Sequence, residues 1–328
     1  HAKARYAQEI GGLLPEIIED QKQIIYKNAY HPLLLQSHKL EGKVTHPQDI
    51  ELDSDNRIVV ISGPNAGGKS ITLKTVGLLQ LLLQSGMLIP VHERSKASFF
   101  DNILTDIGDN QSIENHLSTY SYRLKNMKYF LRKCNSNTLF LIDEFGTGSD
   151  PELGGALAEV FFEELYNKKS FAVITTHYAN IKLKADQLKN AINGCMLFNT
   201  DTLAPLYKFS IGQPGSSFTF EVAQINGIEL DLIEKAKSKL DINKVKMDSL
   251  LSELQKEKTY LEKLKGYLLK ITDHCNRLIH DIFFKEKAID QIQKDYGYTT
   301  RHNAQNQKHK CIEQIRKVKE QDEQDEKK

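Results

Sequence analysis

Three short stretches carry the residue types that phosphoryl chemistry needs. The first is Gly63-Pro64-Asn65-Ala66-Gly67-Gly68-Lys69-Ser70, a glycine-rich run closed by an amine and a hydroxyl. A turn of this kind aims successive backbone N–H groups into one concavity at the positive end of the following helix, where an anion fits. Its glycines let the backbone approach phosphate oxygens, Lys69 can reach the β- and γ-phosphates, and Ser70 can ligate Mg²⁺. The second stretch is Asp143-Glu144, with Asp143 suited to holding Mg²⁺ and Glu144 to orienting or deprotonating an attacking water. The third ends in His177, an imidazole able to sense or polarise a γ-phosphate. His31, ahead of Pro32, is read either as a surface histidine or as a nucleotide contact.

These groups work only if strands and helices deliver them to one place. Ile58-Val59-Val60-Ile61 precedes the glycine-rich turn, and Ile71 to Gln84 follows it with helical composition. Leu139-Phe140-Leu141-Ile142 leads into Asp143, and Phe171-Ala172-Val173-Ile174-Thr175-Thr176 leads into His177. Both are continuous apolar runs, as parallel strands covered on both faces require. Pro151 to Tyr166 predicts a helix with proline at its first position, Tyr120 to Leu131 another, and Met196 to Phe198 with Leu206 to Phe209 a strand pair. The polar run Gly108 to Ser118 is expected to be a loop. The expected fold is α/β, a P-loop ATPase domain with a mostly parallel sheet.

The flanks read differently. Residues His1 to Ile25 show helical spacing broken by Gly11-Gly12 and Pro15, and predict a helix end, a turn and a short second helix. Tyr30 to Leu34 is expected to be turn-like. From Met247 a heptad pattern runs through Leu250, Leu254, Leu261, Leu264, Leu268, Ile271, Cys275, Leu278, Ile282 and Ile289 to Ile292, with polar Glu257 and Lys285 in the seam. Sustained 3.5-residue spacing predicts a coiled coil of roughly 70 Å. The charged end, Glu320 to Lys328, is expected to be disordered. The expected organisation is therefore 1–28 as the end of a helical region, 29–240 as the ATPase domain, 241–296 as the coil and 297–328 as the tail.

The 328 residues suffice for one large domain or two ordinary ones. A net charge of +1 announces no bulk basic field for nucleic acid, so any such partner needs a local patch. The longest apolar stretch, Val76 to Leu83, is far short of the ~20 residues a bilayer demands, so no membrane segment is expected. The four cysteines, Cys134, Cys195, Cys275 and Cys311, form no C-x-x-C pair, and are expected to be reduced, in a cytoplasmic protein.

Taken together, Gly-Pro-Asn-x-x-Gly-Lys-Ser with Thr72-Leu73-Lys74, Asp106-Ile107-Gly108, Leu117-Ser118-Thr119-Tyr120, Asp143-Glu144 and Thr175-Thr176-His177 resemble the ATPase domain of the MutS family. Asp109 to Glu114, Gly148-Ser149-Asp150-Pro151 and Gly212 to Ser217 are most similar to its second bacterial branch, linked to recombination control and ribosome rescue. The resemblance implies an ABC-type ATPase that uses ATP and Mg²⁺ as a homodimer, gating a clamp on branched DNA or stalled ribosomes. It implies that Ser118 and Thr119 form a signature loop reaching the partner's nucleotide, that Asn65 contacts the γ-phosphate, and that Gly148, Ser149 and Asp150 turn across the interface. Pro64, Ala66 and Ile71 complete the nucleotide-binding set. Phe161-Phe162-Glu163 matches the letters of the family's mismatch reader but lies on the helix behind Asp143, so it is assigned to packing. The alternatives are a structural-maintenance type ATPase, whose coil would lie between the P-loop and the Asp-Glu strand, and an interaction module acting through its coil.

Overall fold

The computed structural model describes residues 1–64, 67–108, 119–148, 150–199, 202, 204–216, 218–240 and 242–325. Two compact units divide the chain, 1–255 and 256–328. The first opens with α1 (Ala2–Ile10), β1 (Glu16–Ile17), β2 (Ile24–Ala29), α2 (Pro32–Glu41), β3 (Gln48–Leu52) and β4 (Ile58–Ser62). It continues with α3 (Lys69–Gln84), β5 (Lys96–Ala97), β6 (Asn102–Asp106), α4 (Thr119–Lys133), β7 (Thr138–Ile142), α5 (Pro151–Asn167) and β8 (Phe171–Thr175). Then come α6 (Ala179–Gln187), β9 (Ala191–Phe198), β10 (Pro205–Ile211), α7 (Thr219–Ile225) and α8 (Leu230–Ser238). Helix α9 (Ile242–Lys270) begins in the first unit and ends in the second, which also holds α10 (Asp273–Phe283), α11 (Ile289–Asp295) and α12 (Arg301–Asp325).

The main sheet has the order β10-β9-β4-β8-β7-β6. All its pairings are parallel except β10 with β9. The carboxyl ends of β4, β8, β7 and β6 therefore share one edge, the place where open α/β sheets bind ligands. Every residue of β4, β7 and β8 is buried. Alternation sorts them into two cores: Val59, Ile61, Leu139, Leu141 and Val173 pack with α3 on one face. Ile58, Val60, Phe140, Ile142 and Ile174 pack with α4, α5 and α6 on the other, where Phe162 is also buried, in keeping with its packing assignment. The absence of a side chain at Gly77 lets α3 approach β7 closely, since a Cβ there would stand 2.4 Å from Leu141 Cδ1.

Five expectations are corrected. After α1, residues 16–17 and 24–29 form strands and no second helix intervenes, in a small sheet of order β1-β5-β2-β3. Ile24 and Tyr26 alternate into the core, and the pairing of β2 with β3 outweighs the local helical spacing. The turn-like Tyr30 to Leu34 instead starts α2, with the His31 ring capping Leu34 N at 3.3 Å and Pro32 in the first turn.

The heptads do not form one continuous coil. Helix α9 stops at Lys270, and Thr272 caps α10 through Cys275 N. Leu268, Ile271, Cys275, Leu278 and Ile292 instead share a core with Ala304 and Cys311 of α12. Leu250, Leu254 and Leu261 are exposed, and the seam residue Lys285 pairs with Asp281 at 2.9 Å. Three-four spacing marks a buried helix face whether the chain runs on or folds back, so the period alone could not tell these apart.

The tail, expected to be disordered, is helical in α12 as far as Asp325. Cys275 and Cys311, expected to be reduced, are joined by a disulfide between α10 and α12. Among the described residues no helix is long and apolar enough to cross a membrane.

Candidate nucleotide-binding site

The glycine-rich turn leaves β4 at Ser62. Gly63 (φ 122°) and Gly68 (φ 94°) hold left-handed backbone conformations that suit glycine. Gly68 is the N-cap of α3, so the first turn of that helix carries Lys69 and Ser70 at its positive end. Lys69 is 2% exposed, and its Nζ donates to Gly63 O at 2.6 Å. Burial pushes its ammonium down to about 8, against the pull of Asp143 and Glu144.

At the end of β7, two strands away, Asp143 Oδ1 accepts from Ser70 Oγ at 3.0 Å and from Thr175 Oγ1 at 2.5 Å. A hydroxyl and a carboxylate oxygen converging on one point suit a hard cation such as Mg²⁺, which completes its shell with phosphate oxygens and water. When bound, the cation would neutralise charge between the β- and γ-phosphates. Among the described residues no group of three His, Cys, Asp or Glu side chains could hold a metal by itself. Thr175 also accepts from Glu144 N at 2.7 Å. One buried hydroxyl on β8 thus links the two acidic residues, and Glu144 itself sits at φ 53°, uncommon for a non-glycine residue.

His177 follows β8 on the same edge. Burial, then the charges of Lys69 and Lys182, push its imidazole down to about 4, with Asp143 opposing them. The ring is therefore neutral at physiological pH. Lys182 of α6 is only 7% exposed and donates to Gly215 O at 3.0 Å, while Gly215 N donates to Ser62 Oγ at 2.7 Å. These bonds pin the glycine-rich segment after β10 to the start of the P-loop.

Beside the helix start lies a cavity of about 560 Å³, bordered by His31, His46, Gly68, Ile71, Thr72 and Tyr207. Gln48 holds a bulge in β10 by donating to Tyr207 O and accepting from Phe209 N at 2.7 Å. The bulge gives Tyr207 a left-handed backbone (φ 49°) and stacks its ring on His46, 5.8 Å between centroids. Burial, then Lys74, lowers the His31 pKa from its ordinary value.

The family model described as MutS domain V matches residues 59–244. The chain belongs to the MutS family.

Domain V is the ATPase domain of MutS proteins, and its match starts at the second residue of β4 and covers the P-loop, both acidic residues and His177. The chain is similar to proteins named Endonuclease MutS2. It is 40% identical to one from Finegoldia magna over 293 residues, 89% of this chain and 36% of that protein. It is 39% identical to one from Carboxydothermus hydrogenoformans over 264 residues, 80% and 33%. A third, from Lacticaseibacillus paracasei, is 35% identical over 325 residues, 97% and 40%. The chain spans between a third and two fifths of the length of these relatives.

In this MutS domain the sequence-derived residues Gly63, Lys69, Ser70, Asp143, Glu144 and His177 meet at one edge of the sheet. Gly67 lies where a Cβ would stand 2.7 Å from Phe198 Cζ. His31 and Ile71 border the adjacent cavity. Gly148 takes φ 105° beside Tyr120, and Asp150 caps α5 by accepting from Glu152 N and Leu153 N at 2.9 Å each. Asn65, Ala66, Ser118 and Ser149, with the side chain of Thr119, lie outside the described residues. Thr175, Lys182, Gln48 and Tyr207 had no assigned role in the sequence. For Thr175, position two residues before His177 was the available signal; for Lys182 and Gln48 there was none.

Proposed function

We propose that this chain binds ATP with Mg²⁺ and hydrolyses it, as the motor segment of a MutS-type protein. The observation that carries the reading is the convergence of Ser70 Oγ and Asp143 Oδ1, 3.0 Å apart, above a lysine buried in the P-loop. Lys69 and the α3 N-terminus hold the phosphates, and Ser70 with Asp143 holds the cation. Glu144 orients and deprotonates the attacking water, while neutral His177 offers a hydrogen bond toward the γ-phosphate. The cavity at His31, Ile71 and Tyr207 takes the nucleoside, with Tyr207 presenting an aromatic face to the base.

The chain acts as a homodimer in which Ser118 and Thr119 of one subunit complete the partner's site, and Gly148, Ser149 and Asp150 cross the interface. ATP-dependent closure drives a clamp on branched DNA or stalled ribosomes in the cytoplasm. The printed names of the relatives, Endonuclease MutS2, support a nucleic-acid ligand for the whole protein.

The test is ATP turnover with Mg²⁺ against protein concentration. Specific activity that rises with concentration and is abolished by Ser118→Ala supports the shared site. Activity independent of concentration in a monomeric sample removes the role of Ser118, and no ATP binding at all removes the whole reading. Glu144→Gln is expected to keep ATP binding and stop turnover.

A further inference from the structure

The turn that carries Glu144 is held by a residue outside the P-loop, Arg123 of α4. Glu144 O accepts from Arg123 Nη1 at 2.7 Å, from Thr147 Oγ1 at 2.9 Å and from Thr147 N at 3.2 Å. Arg123 Nη1 also donates to Thr147 Oγ1 at 2.5 Å. One guanidinium nitrogen therefore grips both ends of the turn 144–147. Arg123 lies in the second turn of α4, and Asn126 of the next turn donates to Asp106 Oδ1 at 3.0 Å. The Asp106 carbonyl in turn accepts from Asp143 N at 2.9 Å. Two side chains of α4 thus reach the backbone around both acidic residues, one directly and one through Asp106. Tyr120 and Arg123 border a cavity of about 30 Å³ beside Phe145 and Thr147, room for roughly one water.

Glu144 needs such a grip. Its backbone is left-handed, a conformation that a non-glycine residue keeps only when its surroundings impose it. Thr175 fixes the N–H side of the residue, and Arg123 fixes the carbonyl side. Rotation of the peptide would swing the carboxylate away from the water it is to activate.

We propose that Arg123 is a positioning residue for Glu144, tying the orientation of the carboxylate to the seating of α4, the helix that directly follows residues 109–118. The inference rests on the hydrolytic role of Glu144 given above and adds the group that holds it: α4 acts on Glu144 through the guanidinium. ATP binding is expected to be spared, because neither Arg123 nor Thr147 belongs to the P-loop.

The experiment compares the parent chain with Arg123→Met, which keeps a long stem without donors, and Arg123→Lys, which restores a cationic donor. Arg123→Met is expected to lower kcat at least tenfold with KM and the Kd for ATP within twofold of the parent, and Arg123→Lys to recover part of the loss. Hydrogen exchange at the Thr147 amide, which requires only the folded chain, is expected to rise at least tenfold in Arg123→Met. A kcat within twofold of the parent, a loss of kcat matched by loss of ATP binding, or unchanged exchange at Thr147 overturns the proposal. If the parent shows no turnover, the hydrolytic reading fails, and exchange at Thr147 still decides whether Arg123 holds the turn.

Discussion

The hydroxyl of Thr175 offers the sharpest test of how the acidic pair is held. Thr175→Val keeps the shape and the β-branch at a fully buried position of β8 and removes only the hydrogen bonds. Two are lost: the 2.5 Å bond to the Asp143 carboxylate and the 2.7 Å bond from Glu144 N. A bond to a charged group contributes about 1.5–3 kcal/mol and a neutral one about 0.5–1.5 kcal/mol. The added methyl recovers about 1 kcal/mol of apolar burial, so the expected net loss is about 1–3.5 kcal/mol. Spread over a unit of this size, that lowers the Tm by roughly 2–14 °C. Turnover should fall further than stability implies, because the Glu144 peptide loses its anchor, and a displacement of about 1 Å of a catalytic group costs on the order of 100-fold. Urea melts and steady-state turnover, run beside Thr175→Ser as the hydroxyl-bearing control, read both quantities. A Val variant with parental stability and parental kcat would refute the bridging role of this hydroxyl.

The low Lys69 pKa sets a pH limit on nucleotide binding. Burial lowers it to about 8, so the nucleotide-free protein loses this positive charge as pH rises through 8, and ATP affinity measured by calorimetry should be flat below pH 7.5 and about tenfold weaker at pH 9; a flat profile to pH 9 contradicts the assignment. Tyr207→Ala should weaken ATP binding by about 1–3 kcal/mol through lost stacking while leaving inorganic triphosphate binding unchanged, measured by competition against a fluorescent nucleotide. Reduction of Cys275–Cys311, which closes a 36-residue separation, should destabilise the second unit by about 3–4 kcal/mol, seen as a lower urea midpoint for α10 and α12 after dithiothreitol.

The central strands and the phosphate turn were legible because several constraints coincided in short segments. Buried parallel strands must be apolar on both faces, so Ile58 to Ile61, Leu139 to Ile142 and Phe171 to Thr175 stood out, and each is followed by the residues that need delivering. The contacts that fix those residues were not legible. Arg123 reaches Glu144 across 21 positions and Gln48 reaches Phe209 across 161, and neither arginine nor glutamine announces its partner. Tyr207 was hidden for another reason: its backbone conformation exists because a bulge shifts the register of β10. At the N-terminal side, Ile24 to Ala29 gained strand character from β3 and β5, which the local pattern did not contain. In the second unit the spacing matched the buried face at Leu268, Ile271, Cys275, Leu278 and Ile292 but not at the exposed Leu261 and Lys285, and the breaks at Thr272 and after Phe283 depended on caps too weak to outvote the period.

The close approach at Gly77 reaches beyond packing. Gly77 lies two helical turns beyond Ser70 on α3, and Leu141 lies two residues before Asp143 on β7, so the contact between them works as a spacer gauge for the two oxygen ligands at the other end of the same elements. A methyl group added at position 77 would press on the end of the Leu141 side chain, which would have to move within the packed layer between helix and sheet. The spacing of the two elements that carry the proposed cation ligands is thus set in the apolar interior, where no charged atom is involved.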